Sequence, residues 1–444
     1  NAEKTQRFLN NILTIFSIIS IIIIALSMLG SRLLVKFIAP GLDVNTTEIA
    51  SQLNIIMLPF SFFLVMSNIM SVYLQAHERF ISPALTSYTY GVFGIGSMVL
   101  FHQYGIVALA AGSALSFLGM FLIQLPSAHR QGLRYRPLID LKDEGLKMMG
   151  RLLIPVIISS AFSQIYMIVD RIMASGLDQG SITALDYANR VNTIYYNIFV
   201  ASISTVIFPI LARHSGDMDK FTFSLGKALR IASIISLPIT AGFIVLRVPV
   251  VQLLFEHGAF NKNDTIKTSI ALACLAVGSI GIAFRDFINR AFYALKDTKT
   301  PMINGIIVII LNIIFSFVLV RLFGIGGLAM GTSIAAIISG IMLLLRIRRK
   351  VGQIRGTWVA KGFFQSAIAS IIMGIIIYMC NIFMIPAFHL QDNILGRGLT
   401  ITILTLIGAL IYFLVLFIFR MEEVHEAFTM IGKRFEPLSS RKSI

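Results

Sequence analysis

Gly105-I-V-A-L-A-A-G-S and Gly324-I-G-G-L-A-M-G-T stand 219 residues apart, and each opens an apolar run of about 20 residues. Pro83 and Pro301, upstream of these runs, are 218 apart, and Tyr73-L-Q-A-H-E-R resembles Tyr293-A-L-K-D-T-K. A weaker match joins Val35-K-F-I-A-P-G-L to Gln252-L-L-F-E-H-G-A at an offset of 217. Offsets that agree within two residues at separate places mark an internal repeat. The paired segments stand six spans apart, an even offset. The two copies therefore share one orientation and form parallel repeats about an axis along the membrane normal.

Of the 444 residues, 56% are hydrophobic and 13% charged. A soluble domain carries about 25% charged residues, so this chain cannot clothe a water-facing surface. Long apolar runs exclude an outer-membrane barrel, whose strands are short and alternating. Hydropathy places spans at about 8–30, 49–73, 82–102, 105–124, 151–172, 182–211, 223–246, 266–290, 301–320, 325–345, 359–383 and 398–419. The fold class is an all-α integral membrane protein with about twelve helices. The net charge is +16. With residue 1 on the cytoplasmic side, about 26 of the 37 Lys and Arg residues fall on that side and about 7 on the other. Both termini are then cytoplasmic, the basic excess is topological, and no basic soluble domain exists to bind nucleic acid. Cys274 and Cys380 lie far apart within apolar runs and offer no disulfide framework.

In the second copy of the repeat, spans 151–172 and 182–211 precede the one that matches the first span; the first copy lacks such a pair. The chain also begins at Asn1. The expected parent has about fourteen helices: two six-helix lobes and a terminal pair, with the first two helices missing. Residues 1–137 form an incomplete N-terminal lobe of four helices and 138–350 a C-terminal lobe of six. Residues 351–444 hold the terminal pair, which offers a lipid-tail groove, and a cytoplasmic tail. In a two-lobed transporter the substrate path runs between the lobes, which directs attention to polar residues on that seam.

A charge at the bilayer centre costs at least about 2.5 kcal/mol unless paired or hydrated. The charges within spans are Asp170 and Arg171, then Asp186 and Arg190, then Arg285, Asp286 and Arg290. Asp186, Arg190, Thr193, Asn197 and Ser204 share one helical face, flanked by Asn189 and Asn192. Two readings of Arg190 stand: it lines a wet cavity, or it pairs with Asp186 at i,i+4 and snorkels. Arg285 and Arg290 either pair locally with Asp286 or, like Arg171, contact substrate or act in gating. Guanidinium stays charged at all accessible pH and matches phosphate, which points to an anionic cargo. A phosphate carried on a lipid would also use the terminal pair. No H-E-x-x-H, P-loop or G-x-S-x-G signature is present, so the sequence gives no ground for an enzyme. Gly327 and Gly331, four apart, suit close helix packing.

Tyr187-A-N-R, Ile207-F-P-I-L-A-R, Leu254-F-E-H-G-A-F and Ala291-F-Y-A-L-K-D-T-K-T-P succeed one another in an order that resembles the MurJ (MviN) lipid II flippases. These belong to the multidrug, oligosaccharidyl-lipid and polysaccharide exporter superfamily. The resemblance implies a fourteen-helix protein that carries undecaprenyl-diphosphate-linked peptidoglycan precursor to the outer leaflet by alternating access, as a monomer amid membrane lipids. It places the family's cavity arginine on Arg190, with Asn189 where the family has Asp. The family's other cavity arginines lie in the two helices this chain lacks. Some members resemble sodium-binding transporters, and the matching positions are Asp170, Asn312, Ser316, the Leu328 carbonyl and Thr332. Ser316 stands where a second carboxylate would be expected. The competing reading is an ion-coupled multidrug or other polysaccharide-lipid exporter of the same superfamily.

Overall fold

The structure, a computed structural model, describes residues 2–388 and 394–425. It is helical throughout, with no strand among the described residues. In chain order the helices are α1 (Ala2–Leu29), α2 (Ser31–Ile38), α3 (Val44–Ala76), α4 (Ile81–Phe101), α5 (Gly105–Leu122), α6 (Leu125–Arg130) and α7 (Glu144–Ser175). Next come α8 (Ser181–Tyr195), a π-helical turn (Tyr196–Ala201), α9 (Ser202–Arg213), α10 (Met218–Val245) and α11 (Arg247–Phe255). The chain continues through α12 (Lys262–Ala294), α13 (Lys299–Val351), α14 (Gly356–Phe388) and α15 (Ile394–Ile418).

Among the described residues nine helical stretches are long and apolar enough to cross a membrane. Two of them, Ile81–Arg130 and Lys299–Val351, each contain two of the spans expected from hydropathy. The remaining expected span, 151–172, lies within α7. Ile21, Ile22 and Ile23 of α1 and Leu406 and Leu410 of α15 are exposed, as side chains bathed in lipid are.

The repeat is present in the backbone. Gly105 has φ +82° and Gly324 φ +55°, the region that disfavours side chains, and each starts the second arm of a helical hairpin. Within the first hairpin a Cβ at Gly112 would overlap Cβ of Ser97; within the second, one at Gly331 would lie 2.6 Å from the Ser316 nitrogen and Oγ. Both contacts let helices approach closely through small residues. The helices α3 and α12 are 33 residues each, begin at the side-chain caps Asp43 and Asn261, and are followed two residues past their ends by Glu78 and Lys296, both with φ +58°. Backbone bonds Arg79 N to Leu74 O (2.8 Å) and Asp297 N to Phe292 O (2.9 Å) close both ends alike. This register agrees with Pro83 and Pro301 and sits two residues from the Tyr73 to Tyr293 match.

The chain forms two compact units, Asn1–Ser163 and Gln164–Ile444. The divide falls inside the continuous helix α7, beyond the 137/138 position read from the sequence, because the start of α7 packs back on α1: a Cβ at Gly145 would meet the Phe8 ring at 2.8 Å. In the first unit, Leu9, Leu13, Met66, Met70 and Leu74 make the core. The basic segment after α6 is tied along α1, where Asn11 exchanges two 2.8 Å hydrogen bonds with the Asp140 backbone. In the second unit, Phe221, Leu225, Leu229, Phe287, Ile288 and Leu343 form one core cluster, and Ala174, Leu185, Leu272, Leu328 and Ala329 another. The terminal helices join this unit: Tyr412 of α15 donates to the Ile234 carbonyl of α10 at 2.8 Å. The expected tail beyond residue 425 lies outside the described residues.

Candidate functional site

Helix α8 and the π turn that follows it supply the polar stripe. Arg190, Thr193 and Asn197 are exposed and Asp186 is half-buried, as the i, i+3, i+4 spacing requires. Ser204 departs from it. The π turn at Tyr196–Ala201 inserts an additional residue into the helix, which rotates every later position by roughly 100°. Ser204 is consequently fully buried and accepts a 2.8 Å hydrogen bond from Nε of Arg290. Asp186 and Arg190 form no ion pair among the described residues; the Arg190 guanidinium instead lies over the Tyr187 ring, 5.7 Å from its centroid.

Asn189, Asn192 and Thr193 of α8 and Tyr196 of the π turn line a cavity of about 240 Å³ shared with Leu275, Gly278 and Arg285 of α12 and Thr332 and Ser333 of α13. Its walls are cross-linked: Ser279 donates to Asn192 at 3.1 Å, and Ser333 donates to the Cys274 carbonyl at 2.6 Å. The glycines make room, since a Cβ at Gly278 would lie 2.6 Å from Ser333 Oγ. Arg285 reaches this cavity and forms no ion pair among the described residues. Asp286, the neighbour expected to neutralise arginines here, accepts from the Tyr196 hydroxyl at 3.4 Å and stands 4.0 Å from Arg290. Arg290 therefore spends its charge inside the bundle, between Ser204 and Asp286.

On α7, Arg171 is exposed and Asp170 buried, opposite orientations for adjacent residues. Asp170 lies one turn before Ala174, a member of the cluster that contains Leu328. The hairpin within α13 brings the other four oxygen-bearing positions together. Asn312 Nδ2 donates to Thr332 Oγ1 at 3.0 Å, Thr332 donates to the Leu328 carbonyl at 3.3 Å, and Ser316 packs against Gly331. Asn312 Oδ1 and Ser316 Oγ are buried with no hydrogen-bond partner among the described residues. Orphaned buried oxygens are costly, at about 1–3 kcal/mol each, and a cation would satisfy both.

A family model described as "Lipid II flippase MurJ" matches residues 1–396. The chain belongs to the lipid II flippase MurJ family. Its MurJ relatives include a probable lipid II flippase of Thermotoga maritima, 28% identical over 96% of this chain and 83% of that protein. Another, from Thermosipho africanus, is 29% identical over 86% of this chain and 77% of its own length. A solved lipid II flippase MurJ in an inward closed conformation superposes with a TM-score of 0.80 at 29% identity, covering 96% of this chain and 86% of that one. An inward-facing multidrug resistance MATE family transporter shares the fold at 16% identity, with a TM-score of 0.64 over 80% of this chain and 84% of that one.

Two features of this MurJ-family site escape a reading of the sequence. The π turn leaves no mark in a 3.6-residue periodicity, and Tyr196 looks apolar although it holds Asp286. Gly278, beside Ser333, could have been noticed as a small residue opposite a polar one.

Proposed function

We propose that the protein moves lipid II, a peptidoglycan precursor on an undecaprenyl-diphosphate carrier, from the cytoplasmic to the outer leaflet of the bacterial plasma membrane by alternating access and without chemical turnover. The family match over residues 1–396 carries this reading. Lipid II carries a diphosphate, and Arg190 supplies a guanidinium that no carboxylate neutralises among the described residues. Its forked donors suit bidentate contact with phosphate oxygens, and lysine would keep the charge but lose the fork. Asp186, Asn189 and Asn197 flank it and bond the remaining polar atoms of the head group. Arg285 adds a second positive charge from the 240 Å³ cavity. Arg171 and Arg290 serve gating; Arg290 does so by joining α9 to α12 through Ser204. The polyprenyl tail stays among membrane lipids along α14 and α15. Both termini are cytoplasmic, the protein works as a monomer, and it has no nucleic-acid partner.

Sodium fits the α13 hairpin. Asp170, Asn312, Ser316, the Leu328 carbonyl and Thr332 would hold it, and the orphaned Asn312 Oδ1 and Ser316 Oγ supply the reason. When bound, the ion contributes a positive charge that balances a buried carboxylate and ties the oxygens of one hairpin together. The chain's own part is to keep those oxygens convergent, which Gly331 does by admitting Ser316 at close range.

Complementation of a strain depleted of its lipid II flippase tests the reading. Wild type should restore growth, Arg190→Ala should not, and Arg190→Lys should restore little. Growth with Arg190→Ala equal to wild type would refute the role of Arg190.

A further inference from the structure

One helical turn from Arg190, the start of α8, the end of α11 and the start of α12 enclose a separate cavity of about 410 Å³. We infer that this cavity is a sugar subsite, which takes a pyranose ring of the diphosphate-linked glycan while Arg190 holds the diphosphate. The inference rests on the flippase reading given above.

One wall is aromatic and rigid. Tyr187 stacks on Phe255 with ring centroids 4.5 Å apart at 22°, and Phe260 meets Tyr187 edge to face at 5.6 Å. The negative faces and apolar bodies of such rings suit the C–H face of a sugar. The rest of the lining is polar. Asp264 Oδ2 accepts from the Asn261 backbone at 3.0 Å, which leaves Oδ1 turned toward Gly180 at the cavity wall. His257, whose Nδ1 lies against the Glu256 carbonyl, also lines the cavity. The Thr183 hydroxyl lines the same space. The cavity thus pairs one apolar face with acceptors for hydroxyl donors, in the volume range of small-molecule sites.

Other parts of the substrate fit less well. A second phosphate would meet the Asp264 carboxylate, and a hydrocarbon tail would strip water from Asp264, His257 and Thr183 without replacing their hydrogen bonds. An ammonium would be repelled by Arg190, whose guanidinium already lies over Tyr187. A neutral polyhydroxylated ring meets none of these penalties. Gly180, with φ +87°, lines the cavity beside this carboxylate: a Cβ there would touch Asp264 Oδ1 at 3.4 Å.

The test compares two ligands on the purified protein in nanodiscs, lipid II and undecaprenyl diphosphate, which lacks the glycan. Asp264→Asn and Phe260→Leu should each weaken lipid II binding about tenfold and leave undecaprenyl diphosphate binding unchanged. Asp264 also belongs to the capping box of α12, so Thr183→Val probes the polar wall without touching that cap and should act in the same direction. Arg190→Ala should weaken both ligands. The subsite is overturned if these wall substitutions leave lipid II affinity unchanged or weaken both ligands alike. It is also overturned if lipid II with acetylated amines binds wild type as weakly as lipid II binds Asp264→Asn, since an amine would then be the occupant. If Arg190→Ala spares both ligands while the wall substitutions weaken lipid II alone, the head-group role of Arg190 fails and the subsite stands.

Discussion

Arg230→Met should be among the most destabilising single substitutions in the second unit. Arg230 and Glu423 are 3% and 8% exposed, and Nη2 of the arginine donates to Glu423 Oε2 at 2.8 Å. The guanidinium also donates to the Trp358 carbonyl at 3.2 Å and lies 4.2 Å from the Trp358 ring centroid. The turn after α15 is thereby fastened to α10 and α14, and Trp358 Nε1 adds a 3.2 Å bond to Glu422. Methionine keeps much of the arginine's volume but leaves the Glu423 carboxylate buried and unpaired, which costs about 3–5 kcal/mol. Removing both charges, as in Arg230→Met with Glu423→Leu, deletes the desolvation penalty together with the attraction and should recover most of the loss. The protein has one tryptophan, so emission from Trp358 during chemical unfolding in detergent reports on this clamp directly. The double-mutant cycle should give a coupling of about 2 kcal/mol or more. An Arg230→Met protein within about 1 kcal/mol of wild type, or a double variant as unstable as the single, would refute the reasoning.

Gly331→Leu should separate the arms of the α13 hairpin, since even a Cβ there would lie 2.6 Å from Ser316, and should cost about 1–3 kcal/mol by thermal unfolding. Gly112→Leu, its counterpart in the first unit, should behave alike. Lys350, 2.6 Å from Asp297, holds the Asp297 carboxyl down to about 2, below its ordinary value. A depressed carboxylate contributes stability that is present above the ordinary value near 3.8 and fades as pH falls through about 2, so Asp297→Asn should flatten the stability profile in that window. Asn312→Leu should abolish any rise in melting temperature caused by sodium relative to potassium; an unchanged sodium response would remove Asn312 from the ion site.

The sequence conveyed those parts of the molecule that depend on local rules. Gly105 and Gly324 were readable as matched positions of the repeat, which their shared positive φ explains, and Gly331 because close helix approach demands a small residue. The exposed face of Arg190, Thr193 and Asn197 came from the helical period, and the failure at Ser204 came from the π turn, which breaks that period. By its place in the sequence Arg230 falls among the basic residues on the cytoplasmic side. Its partner lies 193 residues away, beyond any local pattern, so its burial could not be read. For the same reason Asp286 looked like a local partner for Arg285 and Arg290, whereas Tyr196, 90 residues distant, also holds it. The four α13 oxygens converge because a single hairpin fixes their register; Asp170 sits on another helix, and no spacing rule ties it to them.

Translocation of lipid II by the purified protein in liposomes, read by the accessibility of labelled lipid II at the outer leaflet, addresses the central claim most directly. Wild type should move lipid II, faster with a membrane potential negative on the side of origin, by about 2.3 kcal/mol per charge per 100 mV of driving force. Arg190→Ala should not move it, and Arg190→Lys should do so only slowly. Translocation by Arg190→Ala at the wild-type rate would contradict the account.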